Sequence, residues 1–136
     1  MWRRCLFLLS VSSTGLAADI YEPDNSRLAA ANIAAGVLQR HDISPAGDVD
    51  WMRFAPPSIR KYVFYIYADK LDLRPEIWIK QGLLPEILLT KPFVVKRGCW
   101  ATTTFNPSVG TAYFKIGVRG ASQSLTGSYR VEIFNQ

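Results

Sequence analysis

The run Tyr62-Val63-Phe64-Tyr65-Ile66-Tyr67 is β-branched or aromatic at every position. Such residues pack well on a pleated surface, and a run without polar alternation reads as a central strand with both faces at least partly covered. Working outward, the period stays at two. Ala112, Phe114, Ile116 and Val118 alternate with Tyr113, Lys115, Gly117 and Arg119, and Tyr129, Val131 and Ile133 alternate with Arg130, Glu132 and Phe134. These are half-buried strands with one wet face. Further strands are expected near 36–43, 48–54, 76–80, 87–95 and 100–105, punctuated by Pro45-Ala46-Gly47, Pro56-Pro57, Gly82, Pro85, Asn106-Pro107 and the loop from Gly120 to Gly127. That loop reads as the tip of the last hairpin. Seven or eight short strands at this spacing predict an all-β fold, an antiparallel two-sheet sandwich.

Before the strands, Ser26 to Ala35 is alanine-rich. It predicts a short N-terminal helix with Asn25 or Ser26 as N-cap and Gly36 as the stop. The first residues read as an export signal: Arg3 and Arg4 form a positive region, Leu6 to Val11 an apolar one, and Gly15-Leu16-Ala17 a small-residue cleavage site. The alternative is a buried N-terminal helix. The division expected is a signal peptide over 1–17 and one domain over 18–136. Cleavage would remove Cys5 and leave Cys99 alone, so no intrachain disulfide is expected. Cys99 then reads as a buried inert thiol, with intermolecular pairing or reactivity as the alternative.

The chain carries 16 basic and 11 acidic side chains, and without Arg3 and Arg4 the excess is too mild to argue for nucleic acid. Its distribution is uneven. Residues 18–50 hold Asp19, Glu22, Asp24, Asp42, Asp48 and Asp50 against Arg27 and Arg40 alone, whereas the remainder is strongly basic. An acidic corner on a basic body attracts cations.

Two knots carry that acidity, Asp19-Ile20-Tyr21-Glu22-Pro23-Asp24-Asn25-Ser26 and Gly47-Asp48-Val49-Asp50-Trp51. Acidic side chains at every second or third position of a loop are a convenient oxygen supply for a hard cation such as Ca²⁺. The competing reading makes Asp19, Glu22 and Asp24 helix-capping residues and Asp48 and Asp50 turn residues accepting backbone N–H bonds. Whether the two knots meet in space decides between them, because clustered carboxylates without a cation raise one another's pKa values. Catalysis has little to work with. His41 is the sole histidine, no nucleophile elbow, zinc-protease motif or phosphate loop is present, and strand alternation suggests that His41 is solvated or bonded to a neighbour. The expectation is a protein that is not an enzyme.

In these blocks the chain resembles the bacterial pre-peptidase C-terminal domain family. The resemblance rests on Asp19 to Ser26, the alanine-rich stretch Ala29 to Gly36, Gly47-Asp48-Val49-Asp50-Trp51-Met52-Arg53-Phe54, and the final strand Gly127-Ser128-Tyr129-Arg130-Val131-Glu132-Ile133. It implies a secreted jelly-roll-like β-sandwich with calcium at the two acidic segments, and it nominates Glu22, Asp24, Asn25, Asp48 and Asp50 as ligands; Asp19 is added from spacing. Pro92 to Phe105 has no counterpart in the family pattern. With no peptidase domain ahead of it, the expected role is a stand-alone secreted or periplasmic bacterial binding module, without contact to membrane once the signal is removed. Its partner would be a polysaccharide, a fibrous protein or a cell-surface protein, met by Trp51, Tyr65, Trp78 and Tyr113. The alternative is a structural or chaperone-like accessory of a separately encoded secreted peptidase.

Overall fold

A computed structural model describes residues 2–5, 20–107 and 110–136. Among the described residues ten strands form two five-stranded sheets packed face to face. They are β1 (Trp2–Cys5), β2 (Ala31–Asn32), β3 (Gln39–Ile43), β4 (Asp50–Phe54), β5 (Tyr62–Ala68), β6 (Leu73–Lys80), β7 (Ile87–Leu88), β8 (Cys99–Phe105), β9 (Thr111–Val118) and β10 (Gly127–Asn135). One sheet has the order β1-β8-β5-β10-β3, the other β2-β4-β9-β6-β7. Among the described residues the strands pair antiparallel except for the two-residue parallel contact of β2 with β4, and an isolated parallel bridge joins Ala35 to Ile133.

The alternation read from the sequence is the reason the sheets stack. Tyr62, Phe64, Ile66 and Ala68 on β5 and Ala112, Phe114 and Ile116 on β9 all face the interior, each fully buried. Phe64 and Phe114 stack across the gap with ring centroids 4.5 Å apart, and Phe54 and Phe105 meet Tyr62 and Phe114 edge-on. Offset and edge-to-face aromatic packing contributes beyond the area buried. As expected, β5 is central, lying between β8 and β10.

Several expectations are corrected. No helix spans Ser26 to Ala35: Ser26 Oγ caps a single 3₁₀ turn, Arg27–Ala29. The chain then turns extended, and Ile33 N donates to Arg53 O at 2.9 Å. Helical propensity loses because Leu28 is 94 % exposed and so gives a short segment no apolar stripe to bury. The run expected at 87–95 pairs only over Ile87–Leu88, with Val95 bridging back to Leu73. Gly120 to Gly127 is no hairpin tip. It holds a 3₁₀ turn over Gly120–Ser124 and carries the chain from β9 in one sheet to β10 in the other. The buried Ser122 Oγ accepts from Asp72 N there, at 2.9 Å.

The largest correction concerns the first residues. Trp2–Cys5 is an edge strand paired with β8 in the register Cys5↔Cys99, and those cysteines form a disulfide. Residues 2–5, expected to lie outside the fold, are thus paired within it, and Cys99 is not a free thiol. Trp2–Cys5 has the composition of a leader's positively charged start, and only the cross-strand position of Cys99 marks it as an edge strand. Leu6 to Val11, the 15–17 site and Asp19 lie outside the described residues.

A bridge spanning 94 residues removes much conformational freedom from the unfolded chain, about 4.7 kcal/mol in the loop-entropy model. Reduction, or Cys99→Ser, is expected to lower the unfolding free energy by about 2–4 kcal/mol in denaturant titrations. Intact-mass measurement should show a two-hydrogen gain on reduction. A mature N-terminus at Ala18 would instead restore the cleaved-leader reading.

Candidate functional site

The two acidic knots meet. Strand β3 is the edge of one sheet, β4 lies in the other, and residues 44–49 cross between them. Gly47, at φ +82°, makes the sharp turn, with Asp48 N donating to Pro45 O at 3.1 Å. The segment Ile20 to Asn25 is pinned where Trp51 N donates to Asp24 O at 2.8 Å. That bond brings Asp24 beside the start of β4.

Two overlapping groups of potential ligand atoms result. Glu22, Asp48 and Asp50 form one, Asp24, His41 and Asp50 the other, and within each group the ligand atoms lie within 4.8 Å of one another. Asp24, His41 and Asp50 have no solvent exposure, while Glu22 and Asp48 are half-buried. The turn reading is part of the truth: Asp48 Oδ1 accepts from Val49 N at 2.9 Å and Glu22 Oε2 from Asp24 N at 3.3 Å. It does not use up the oxygens. Glu22 Oε1, Asp48 Oδ2 and both carboxylate oxygens of Asp24 are buried and accept no hydrogen bond while Glu22 and Asp48 are both ionised. A buried carboxylate left in that condition is expensive unless a positive charge faces it.

The electrostatics agree. Burial, then the Asp24 and Asp48 charges, then a side-chain hydrogen bond with Asp48 push the Glu22 carboxyl up from 4.5 to about 7, against a lowering from the Asp24 N–H. Crowded anions in a poorly solvated place hold on to a proton when no cation relieves them. Donor set and orphaned oxygens both fit a divalent cation among Glu22, Asp48 and Asp50.

Asn25 is exposed, and Asp19 lies outside the described residues. Of the aromatic candidates, Trp51, Trp78 and Tyr113 share the outer face of the β2-β4-β9-β6-β7 sheet. Tyr113 stands opposite Trp78 in register, Arg27 lies over the Tyr113 ring at 5.6 Å and Lys115 over Trp51 at 5.7 Å. Tyr65 is on the outer face of the other sheet, 6.0 Å from Trp100, so it does not join them.

Of the two readings of His41, solvated or bonded to a neighbour, the second holds: it is buried, with Nε2 3.0 Å from Gln39 Oε1, and sandwiched between Tyr21 (4.4 Å) and Tyr129 (5.4 Å), while Tyr129 Oη donates to Asp50 Oδ2 at 2.5 Å. The signal was present: His41 shares a strand face with the apolar Ile43, and period two sends both inward.

No family model matches the chain, and no curated protein matches it. Among solved structures, the pre-peptidase C-terminal domain of a collagenase from Bacillus anthracis superposes with a TM-score of 0.56 at 11 % identity, over 76 % of this chain and 93 % of that one. The fold is that of a pre-peptidase C-terminal domain. A further match, at a TM-score of 0.46 and 13 % identity, is Salmonella Typhimurium PliG, a periplasmic lysozyme inhibitor of g-type lysozyme; it covers 78 % of this chain and 98 % of that one.

The Glu22 shift has a sign that can be measured. A carboxyl raised in the folded state adds stability that is fully present below the unfolded value near 4.5 and is lost as pH rises through about 7. In chelator, the melting temperature should therefore fall between pH 5 and 8. Glu22→Gln should flatten that slope, and an unchanged slope would remove Glu22 from the cluster.

Proposed function

We propose that this chain is a non-catalytic binding module, stabilised by calcium, that works in an oxidising compartment outside the cytoplasm. The observation that carries it is the set of buried, unbonded carboxylate oxygens contributed by Glu22, Asp24 and Asp48 from two distant segments. A hard cation held by Glu22, Asp48 and Asp50 would lock the N-terminal segment onto the sandwich, since Ca²⁺ takes oxygen ligands in adaptable number and geometry. Asp24 lines the inner wall of the same cluster. The Cys5–Cys99 disulfide supports the compartment, because such bonds persist where thiols are not kept reduced. Among the described residues no helix is long and apolar enough to cross a membrane.

The non-catalytic reading is supported by His41, the sole histidine. It has no exposed surface and is walled by two tyrosines, so it reaches no substrate as a base. Recognition falls to the outer face carrying Trp51, Trp78 and Tyr113. Beside Trp51 an open groove of about 480 Å³ is lined by Gly47, Val49, Arg74, Glu76, Lys115 and Gln123, among others. Flat rings next to a polar, basic groove suit a polysaccharide or an extended fibrous protein. A second reading, an accessory that pairs with a secreted peptidase or with itself, is favoured by one feature. Strand β7 is a sheet edge, and Leu83, Leu84, Ile87, Leu88 and Leu89 around it are exposed, which is the kind of edge that recruits another chain.

Millimolar Ca²⁺ should raise the melting temperature by about 5 °C or more, because it binds the folded state alone. Glu22→Gln with Asp48→Asn should abolish the rise; no rise in the wild type refutes calcium stabilisation. On immobilised polysaccharide or collagen, Trp51→Ala with Trp78→Ala should lose retention while eluting as a monomer. Retention unchanged, with an obligate oligomer broken by Leu88→Lys, would favour the accessory reading.

A further inference from the structure

The sheet that carries the disulfide has an outer face that the proposed function leaves unused. Strand register aligns five exposed or half-buried side chains across it in a single row: Arg4 opposite Trp100, Trp100 opposite Tyr67, Tyr67 opposite Arg130, and Arg130 opposite Arg40. Period two turns them outward, since Ala101, Ile66, Tyr129 and His41, one position along on their strands, are all buried. At a strand spacing of roughly 4.8 Å the row is roughly 19 Å long. Tyr65 adds a third ring beside it, 6.0 Å from Trp100. Arg130 lies over the Tyr67 ring at 5.2 Å, a cation–π contact that occupies the face of the guanidinium and leaves its N–H edge for an acceptor. That contact accounts for Arg130, but not for Arg40 directly opposite it. Like charges in opposed positions destabilise a sheet, and no acid stands anywhere in the row. Among the described residues no carboxylate lies within ion-pair distance of Arg130, and the Arg40 pairing to Asp42, at 3.9 Å, leaves the Arg40 side chain 60 % exposed.

We infer that this row is a second binding surface, on the sheet opposite Trp51 and Trp78, and that its ligand is a polyuronate, an extended polysaccharide with carboxylates on its sugar rings. A planar carboxylate fits the guanidinium fork bidentately. One lodged between Arg130 and Arg40 turns their mutual repulsion into a shared attraction, and Arg4 at the far end of the row takes another. Between these charges Tyr67 and Trp100 offer flat surfaces on which sugar faces lie at small entropic cost. A neutral glycan would use the rings and leave the opposed arginines unrelieved. Single-stranded nucleic acid also combines rings with negative charge, but the disulfide and the mild net charge count against it. The surface depends on neither the acidic cluster nor the Trp51 face, so it goes beyond the function proposed for them.

The full chain, without added calcium, is titrated with hexagalacturonate and, in parallel, with neutral maltohexaose, followed by ¹H–¹⁵N NMR. Saturable binding of hexagalacturonate is expected, with shifts centred on Tyr67, Trp100 and Arg130 and an affinity that falls as salt screens the charges. Arg40→Gln with Arg130→Gln should weaken it by about tenfold or more without lowering the melting temperature, because that change removes two opposed like charges. Arg130→Lys should not preserve the affinity, since an ammonium has no fork. Trp51→Ala with Trp78→Ala should bind hexagalacturonate as the wild type does, which leaves the two faces independent whatever becomes of the Trp51 reading. No saturable binding, equal binding of maltohexaose, or unchanged binding by the glutamine double variant would each overturn the row as a site. Tighter binding of a sulfated glycan or of oligodeoxythymidylate would overturn the polyuronate as its ligand. Binding lost in the Trp51 and Trp78 variant alone would move the polysaccharide to the other sheet, overturning this surface while supporting the function proposed there.

Discussion

Asp24 and Asp50 are ionisable acids with no exposed surface, and the end of the molecule that holds them is organised around that fact. Moving a carboxylate out of water costs several kcal/mol even after relaxation. The protein meets the cost with the Tyr129 hydroxyl at Asp50, the His41 ring at Asp24 and backbone donors at Glu22 and Asp48. These partners leave a surplus of unbonded oxygen, which the cation proposed above would neutralise. The same surplus explains why the Glu22 carboxyl is pushed up while it lies in a half-buried loop.

A site of this kind needs a rigid frame, because ligand atoms a few ångströms apart come from residues widely separated in sequence. The frame is the aromatic layer between the sheets, where Phe64 on β5 and Phe114 on β9 stack and Phe54, Tyr62 and Phe105 close around them. It holds β3 and β10 in one sheet against β4 in the other. The Tyr129↔His41 register then delivers the ring that stacks on the imidazole, and that tyrosine's hydroxyl reaches across to Asp50. At the other edge, the Cys5–Cys99 bridge fastens β1 to β8. Core packing and site geometry are thus one set of constraints read from two sides.

How much was legible varies with the range of the interaction. The strands at Tyr62–Ala68, Thr111–Val118 and Gly127–Asn135 follow from period-two alternation, and the acidic knots were visible as local composition. The helix expected over Ser26 to Ala35 failed because a parallel contact with β4, absent from any local window, outweighed alanine's propensity. Gly120 to Gly127 was misread because turn composition does not say whether the chain returns to the same sheet or crosses to the other. His41 was set aside as a catalytic group and its burial was not foreseen, although Ile43 two residues on marked its face as interior.

From composition and periodicity alone came the all-β class, the inward faces of the long strands, the acidic corner and the poverty of catalytic groups; each depends on residues within a few positions of one another. Tertiary structure decided which oxygens share a cluster, which nitrogen of His41 faces Asp24, and that Cys5 meets Cys99. Those depend on pairings of strands far apart along the chain. A side chain's charge is a property of its residue, but its burial and its partners belong to the packed whole.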